Sequence, residues 1–198
     1  MKILKAAAIT GVFIVLLLLV YYVHVSFCRV DVVLYSALAD ACIAAALTAV
    51  LMFALRAFAV FSGLERILLV MVWLLGGYAF AISIPTVIDR SLSFYILEKL
   101  HQRGGGIRAD RFADVFTTEY LVEARLVDVR LTEQLESGTI AIHDGCVRLT
   151  PRGERMAGMS AYFRAHFLPA HRLLMGEYTD DLTDPFRHSV KQVDYQCR

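Results

Sequence analysis

Residues 67–88, ILLVMVWLLGGYAFAISIPTVI, form a 22-residue run without a charge, and the chain changes character directly after it at Asp89-Arg90. About 20 apolar residues at a rise of 1.5 Å each cross a hydrocarbon core of roughly 30 Å. A helix satisfies its own backbone polar groups there. Two earlier runs meet the same condition: residues 6–23, with no charge over 18 residues, and residues 32–55, with one charge over 24. The sequence therefore predicts a mostly α membrane protein whose residues 1–89 form three transmembrane helices, spanning about 6–23, 32–55 and 67–88. The gaps 24–31 and 56–66 hold only tight turns, so the helices are expected to pack side by side as up-down neighbours.

Composition agrees with this reading. Apolar residues make up 58% of the 198 and charged residues only 20%, where soluble domains carry about a quarter charged. A net charge of +1 and four cysteines exclude a polybasic nucleic-acid binder and a disulfide-rich scaffold. Residues 1–89 hold five Lys or Arg and four acids, whereas residues 90–198 hold fifteen of each. Arg outnumbers Lys sixteen to four, which points to GC-rich coding and a bacterial setting. Tyr21, Tyr22, His24 and Phe27 stand where a cleavage site needs small residues, so the first helix is expected to be retained. Lys and Arg near the spans balance between the two faces. The dominance of the first helix then predicts an inside N-terminus and, after three spans, a C-terminal half in the periplasm outside a bacterial inner membrane.

Asp40 is the one ionisable group inside a predicted span and costs about 2.5–3.5 kcal/mol on insertion scales. It must face protein, sit near the interface or hydrogen-bond Ser36 or Tyr35. Around it Ala37, Ala41, Ala44, Ala45 and Ala49 make a small-residue face that lets another helix approach closely. Asp40, Ala41 and Ala45 are therefore candidates for contact with a partner's helix. Gly76-Gly77 and Pro85 predict a bent exit from the third helix.

From residue 90 the pattern becomes amphipathic. Leu92, Ile96, Leu97 and Leu100 recur at helical spacing before Gly104-Gly105-Gly106. A short helix follows with Phe112, Val115 and Phe116 inward, and a third is expected over Tyr120, Ala124, Val127, Leu131 and Leu135, ended by Gly138. Residues 139–143 and 146–150 read as two strands joined by Asp144-Gly145, and residues 152–167 as a final helix with Met156, Met159, Phe163 and Phe167 along one side. Arg130-Leu131, Gln134-Leu135-Glu136, Gly138, Ile140 and Leu149-Thr150-Pro151-Arg152-Gly153 resemble the winged helix-turn-helix superfamily. The resemblance implies a small α+β winged-helix-like domain over residues 90–168, with Leu131, Leu135, Ile140 and Leu149 as its core. Residues 169–198 read as a turn-rich tail.

That superfamily often binds DNA, but residues 118–137 carry Glu119, Glu123, Asp128, Glu133 and Glu136 against Arg125 and Arg130. A helix so charged is repelled by phosphate. His166, His171, Asp180, Asp181, Asp184 and His188 fall close together and could ligate a metal, yet His166 and His171 are five apart and Pro169 interrupts them. No Cys-x-x-Cys, glycine elbow or phosphate-cradling loop is present, so no cofactor is expected. Cys146 and Cys197 could pair in an oxidising compartment. The expected function is a non-enzymatic membrane accessory or scaffold subunit, bathed in membrane lipid. It would bind another membrane protein or a second copy of itself through its helices and through Phe163 and Phe167, in a cell-envelope assembly. The alternatives are a membrane-bound transcription regulator and a metal-dependent enzyme using the His/Asp cluster.

Overall fold

Three long apolar helices follow directly from the three apolar runs, and each extends beyond its run for a local reason. The computed structural model of the chain describes residues 2–169, 171–187 and 197, and these are mostly helical. Helix α1 is Lys2–Phe27, α2 is Val33–Ala54 and α3 is Gly63–Arg90, all long and apolar enough to cross a membrane. Ser62 and Glu65 start α3 one turn earlier than its uncharged core, by a reciprocal capping box in which Ser62 N–H donates to Glu65 Oε2 at 2.7 Å. Near its end α3 widens into a π-turn at Ile82–Thr86 around the buried Pro85. Where a bend was expected the helix carries a local π-bulge, which accommodates the missing amide of Pro85.

Apolar helices in a bilayer gain nothing from hiding one another from lipid, so their packing depends on how closely backbones approach. Here α2 is the central helix, with Ala37, Ala41, Ala44 and Ala45 all buried. A Cβ placed on Gly77 of α3 would lie 2.6 Å from Ala41 Cβ. Ile9, Phe13 and Leu17 of α1 complete the core with Met52 and Trp73. The Trp73 ring stacks on Phe13 with centroids 5.9 Å apart, and its Nε1–H donates to Thr10 Oγ1 at 3.0 Å. The alanine face expected to meet another protein's helix is therefore used inside the chain. Ala41 and Ala45, expected at a partner contact, are buried against the chain's own neighbours.

The chain divides into two compact units, Met1–Leu126 and Val127–Arg198. In the first, α4 (Leu92–Gln102) is capped by Ser91, whose Oγ accepts from Phe94 N–H, and α5 (112–123) carries a π-turn at Val115–Tyr120. The third helix expected over residues 120–135 is broken. Arg125 takes φ of 44°, and Tyr120 belongs to α5, where it packs on Tyr95 with ring centroids 4.5 Å apart. Steps of four and three run on across the break, so periodicity alone could not reveal it.

In the second unit α6 (Leu126–Glu136) ends at Gly138, whose φ of 67° closes the helix. Strands β1 (Ile140–His143) and β2 (Cys146–Leu149) pair antiparallel, with Ile140 opposite Leu149. Asp144 and Gly145 both have positive φ, at 52° and 75°, as a two-residue turn of this hand requires. Helix α7 (Pro151–Phe167) is capped by Thr150, which also donates from Oγ1 to the Gly138 carbonyl at 2.8 Å. Gly153 permits this crossing, since a Cβ there would sit 2.0 Å from the Thr139 carbonyl oxygen. Residues 172–179, read from sequence as part of a turn-rich tail, instead form a second hairpin: β3 (Arg172–Leu174) and β4 (Glu177–Thr179) pair around Met175-Gly176.

The close approach at Gly77 has a direct test. Gly77→Leu is expected to destabilise the bundle by about 1–3 kcal/mol through overpacking. Gly76→Leu, at a position with no atom within 4 Å of its Cβ site, is expected to leave stability nearly unchanged. Thermal melting of both variants in one detergent checks the pair.

Candidate functional site

One contact between α1 and α2 brings two ionisable side chains together inside the helix bundle. Because α1 runs on to Phe27, His24 occupies its last turn instead of a loop, and it faces the second turn of α2. His24 Nδ1 lies 2.7 Å from Asp40 Oδ1. Asp40 is 1% exposed, so it faces protein as its insertion cost demands. Its partner is His24, and not Ser36 or Tyr35. Its other oxygen, Oδ2, is buried without a hydrogen-bond partner among the described residues. Tyr21, one turn before His24, lies within electrostatic reach of both Asp40 and Asp89. Asp40, expected at a partner contact, is thus buried inside the chain's own bundle. Sequence reading missed His24 because the run of strongly apolar residues stops at Val23. The signal for a longer helix was the continuing Val25 and Phe27.

A second polar cluster lies outside the spans. Lys99 of α4 is 5% exposed and forms ion pairs with Glu119 at 2.7 Å and Glu123 at 2.6 Å, both on α5. Tyr95 O–H donates to Glu123 at 2.8 Å and Arg103 donates to both Glu119 oxygens at 2.8 Å. Hydrogen bonds from Lys99, then from Arg103 and Tyr95 respectively, hold the Glu119 and Glu123 carboxyls below the usual carboxylate range. The same two carboxylates push the Lys99 ammonium up. Tyr95, Lys99 and Arg103 recur every four residues, as do Glu119 and Glu123, so two complementary helical stripes stood in the sequence unread. The arrangement clamps α4 to α5, and every charge in it is matched.

The third feature is an absence of shelter. Among the described residues of Val127–Arg198 no apolar side chain is fully buried. Leu131 and Ile140 are half-buried as core residues, but Leu135 and Leu149 are exposed, at 41% and 57%, which corrects their placement in a core beneath the hairpin. Along α7, Met156, Met159, Phe163 and Phe167 stand in one stripe, each about half exposed. Phe163 and Phe167 stack with centroids 5.3 Å apart. Cys146 of β2 and Cys197 form a disulfide with Cα atoms 5.8 Å apart.

The residues proposed for a metal do not converge. His166 donates from Nδ1 to the Tyr162 carbonyl at 2.8 Å and lies on the Tyr162 ring. Asp180 is held by both guanidinium nitrogens of Arg187 at 3.0 Å, which lowers its carboxyl pKa. Asp181 lies in a short 3-10 turn that Asp184 closes, His171 precedes β3, and His188 lies outside the described residues. No group of three His, Cys, Asp or Glu side chains suited to a metal occurs among the described residues. Comparison of the chain with protein-family models, curated proteins and solved structures returns no match.

Two outcomes test these clusters. His24→Ala leaves the buried Asp40 carboxyl without its hydrogen bond and is expected to cost about 1–3 kcal/mol. The double replacement His24→Phe with Asp40→Leu is expected to recover most of that loss in thermal melting. For the Lys99 clamp, the depressed carboxyl pKa values mean that stabilisation is complete above the usual glutamate range and is lost as pH falls through the lower folded values. On the alkaline side it is lost only as pH rises through the raised Lys99 value. Lys99→Met is therefore expected to flatten the acid limb of the melting profile between about pH 5 and 3.

Proposed function

We propose that this chain is a non-enzymatic integral membrane subunit that anchors and docks a partner protein, as part of an assembly in a bacterial cell envelope. The observation that carries this reading is the unsheltered second unit. Small domains bury a limited share of their surface, and an exposed apolar patch on one marks a contact site. The Met156, Met159, Phe163 and Phe167 stripe is such a patch, with Met and aromatic side chains of the kind enriched at interfaces. The buried alanine face leaves α1 to α3 the role of anchor, so recognition falls to the soluble half.

Residues 90–168 are read as a winged-helix-like interaction module. The order of three helices, a hairpin closed by Asp144-Gly145 and a final helix supports this. DNA is a poor partner for it, because α6 carries Asp128, Glu133 and Glu136 against Arg130 alone. The Cys146–Cys197 disulfide supports placing this half in an oxidising compartment, the periplasm of a bacterial inner-membrane protein. Tying together cysteines 51 residues apart also restricts the unfolded chain by about 4 kcal/mol on the chain-entropy estimate, which suits a unit with so little buried core.

Blue-native electrophoresis of the protein extracted in mild detergent tests the docking role. The wild type is expected to migrate in a larger assembly, and a Phe163→Ser, Phe167→Ser variant with unchanged melting is expected to migrate alone. A wild type that runs only as a monomer overturns the proposal. Fusions after Arg198 test the compartment, where alkaline phosphatase activity without green fluorescence is expected and the reverse result overturns it.

A further inference from the structure

Helix α7 carries a second face beside its apolar stripe. Ala157 and Arg164 follow Met156 and Phe163 by one position each, which is about 100° around a helix of 3.6 residues per turn. This face opens into a cleft of about 530 Å³ between α7 and residues 183–186. Ala157, Ala161 and Ala165, at steps of four, make its floor, and the exposed Phe186 lines the other side. A mostly apolar cleft of this size with a few polar groups has the character of a small-molecule site.

The wall opposite α7 is braced by its own hydrogen bonds. Arg187 donates from Nη1 and Nη2 to the two Asp180 carboxylate oxygens, each at 3.0 Å, and Thr183 Oγ1 donates to the Asp180 carbonyl at 2.7 Å. Asp181–Thr183 forms a 3-10 turn inside this loop, and Arg187 N–H donates to the Asp184 carbonyl at 3.2 Å. The Asp184 carboxylate is left uncommitted by this bracing and lines the cleft. Arg187 lies within electrostatic reach of it but gives both Nη groups to Asp180.

The α7 side of the cleft holds the opposite charge. Arg164 lines it, half-buried, and the Ser160 hydroxyl stands one turn before. Neither side chain has a hydrogen bond or ion pair among the described residues, and Arg164 and Asp184 do not pair with each other. A cation and a carboxylate that line one cleft without meeting are complementary to a molecule charged at both ends. The alanine floor rises by about 12 Å from Ala157 to Ala165, and an extended dipeptide spans about 7 Å. A single free amino acid carries the same two charges on one carbon and leaves most of that floor uncovered.

We propose that this cleft binds a short apolar peptide by both its ends, the terminal carboxylate on Arg164 and Ser160 and the terminal ammonium on Asp184, with its side chains over the alanine floor and against Phe186. The site lies on a different face of α7 from the stripe assigned to partner docking and does not depend on that role.

Isothermal titration calorimetry of the full chain in detergent, with its disulfide intact and the dipeptide alanyl-phenylalanine as ligand, tests the site. One dipeptide is expected to bind per chain. Its N-acetyl form lacks the ammonium and its C-terminal amide lacks the carboxylate. Each is expected to bind about tenfold more weakly, through loss of a hydrogen bond to a charged group, and free phenylalanine is expected to bind more weakly too. Two substitutions separate the ends. Asp184→Asn is expected to bind the free and acetylated dipeptides alike while still preferring the acid to the amide. Arg164→Met is expected to bind acid and amide alike while still preferring the free amine. Neither side chain has a partner to lose, so both variants are expected to melt as the wild type does. No binding of alanyl-phenylalanine overturns the proposal, as do blocked dipeptides that bind as well as the free one. An end preference that survives the matching substitution, or free phenylalanine that binds as tightly as the dipeptide, overturns it as well.

Discussion

The approach of Gly77 to Ala41 sets the spacing on which the packing of α1, α2 and α3 depends. In a lipid environment the outer surfaces of these helices are as well solvated by hydrocarbon as their inner ones, so contact has to be won by fit. The 2.6 Å that a Cβ on Gly77 would leave to Ala41 shows how far the fit has gone. That approach lets the large side chains Phe13 and Trp73 interlock from flanking helices. Asp40, one residue before Ala41, is buried there with His24 as its hydrogen-bond partner among the described residues.

The two polar clusters show opposite solutions to the cost of hiding charge. At the Lys99 clamp every ion has a partner and each carboxylate receives at least two donors, so burial of the ammonium is fully compensated. At Asp40 one oxygen is matched and the other is not. An unmatched buried oxygen raises the cost of losing the single bond that remains between the end of α1 and the start of α2.

The second unit is organised around backbone fit and covalent closure more than around a core. Thr150 links the end of α6 to the start of α7, Gly153 lets α7 cross the start of β1, and the disulfide ties β2 to Cys197. Local geometry is thereby well specified while large apolar side chains are left outside. A unit built this way leaves the α7 stripe exposed.

The sequence by itself determined the three long apolar helices, the turn at Asp144-Gly145 and the stop at Gly138, because each depends on neighbouring residues only: an apolar run, two residues that tolerate positive φ, a glycine after a helix. The capping box at Ser62 and Glu65 was equally local. Tertiary structure alone decided which surfaces those elements share. It turned the Ala41 and Ala45 face inward, broke the periodic stretch at Arg125, brought His24 to Asp40 and Lys99 to Glu119 and Glu123, left Leu149 exposed and paired Cys146 with Cys197. Each of these joins residues from separate elements or depends on what a neighbouring element covers. A one-dimensional pattern states which face of a helix is small, apolar or charged. Only the packed chain states what that face meets.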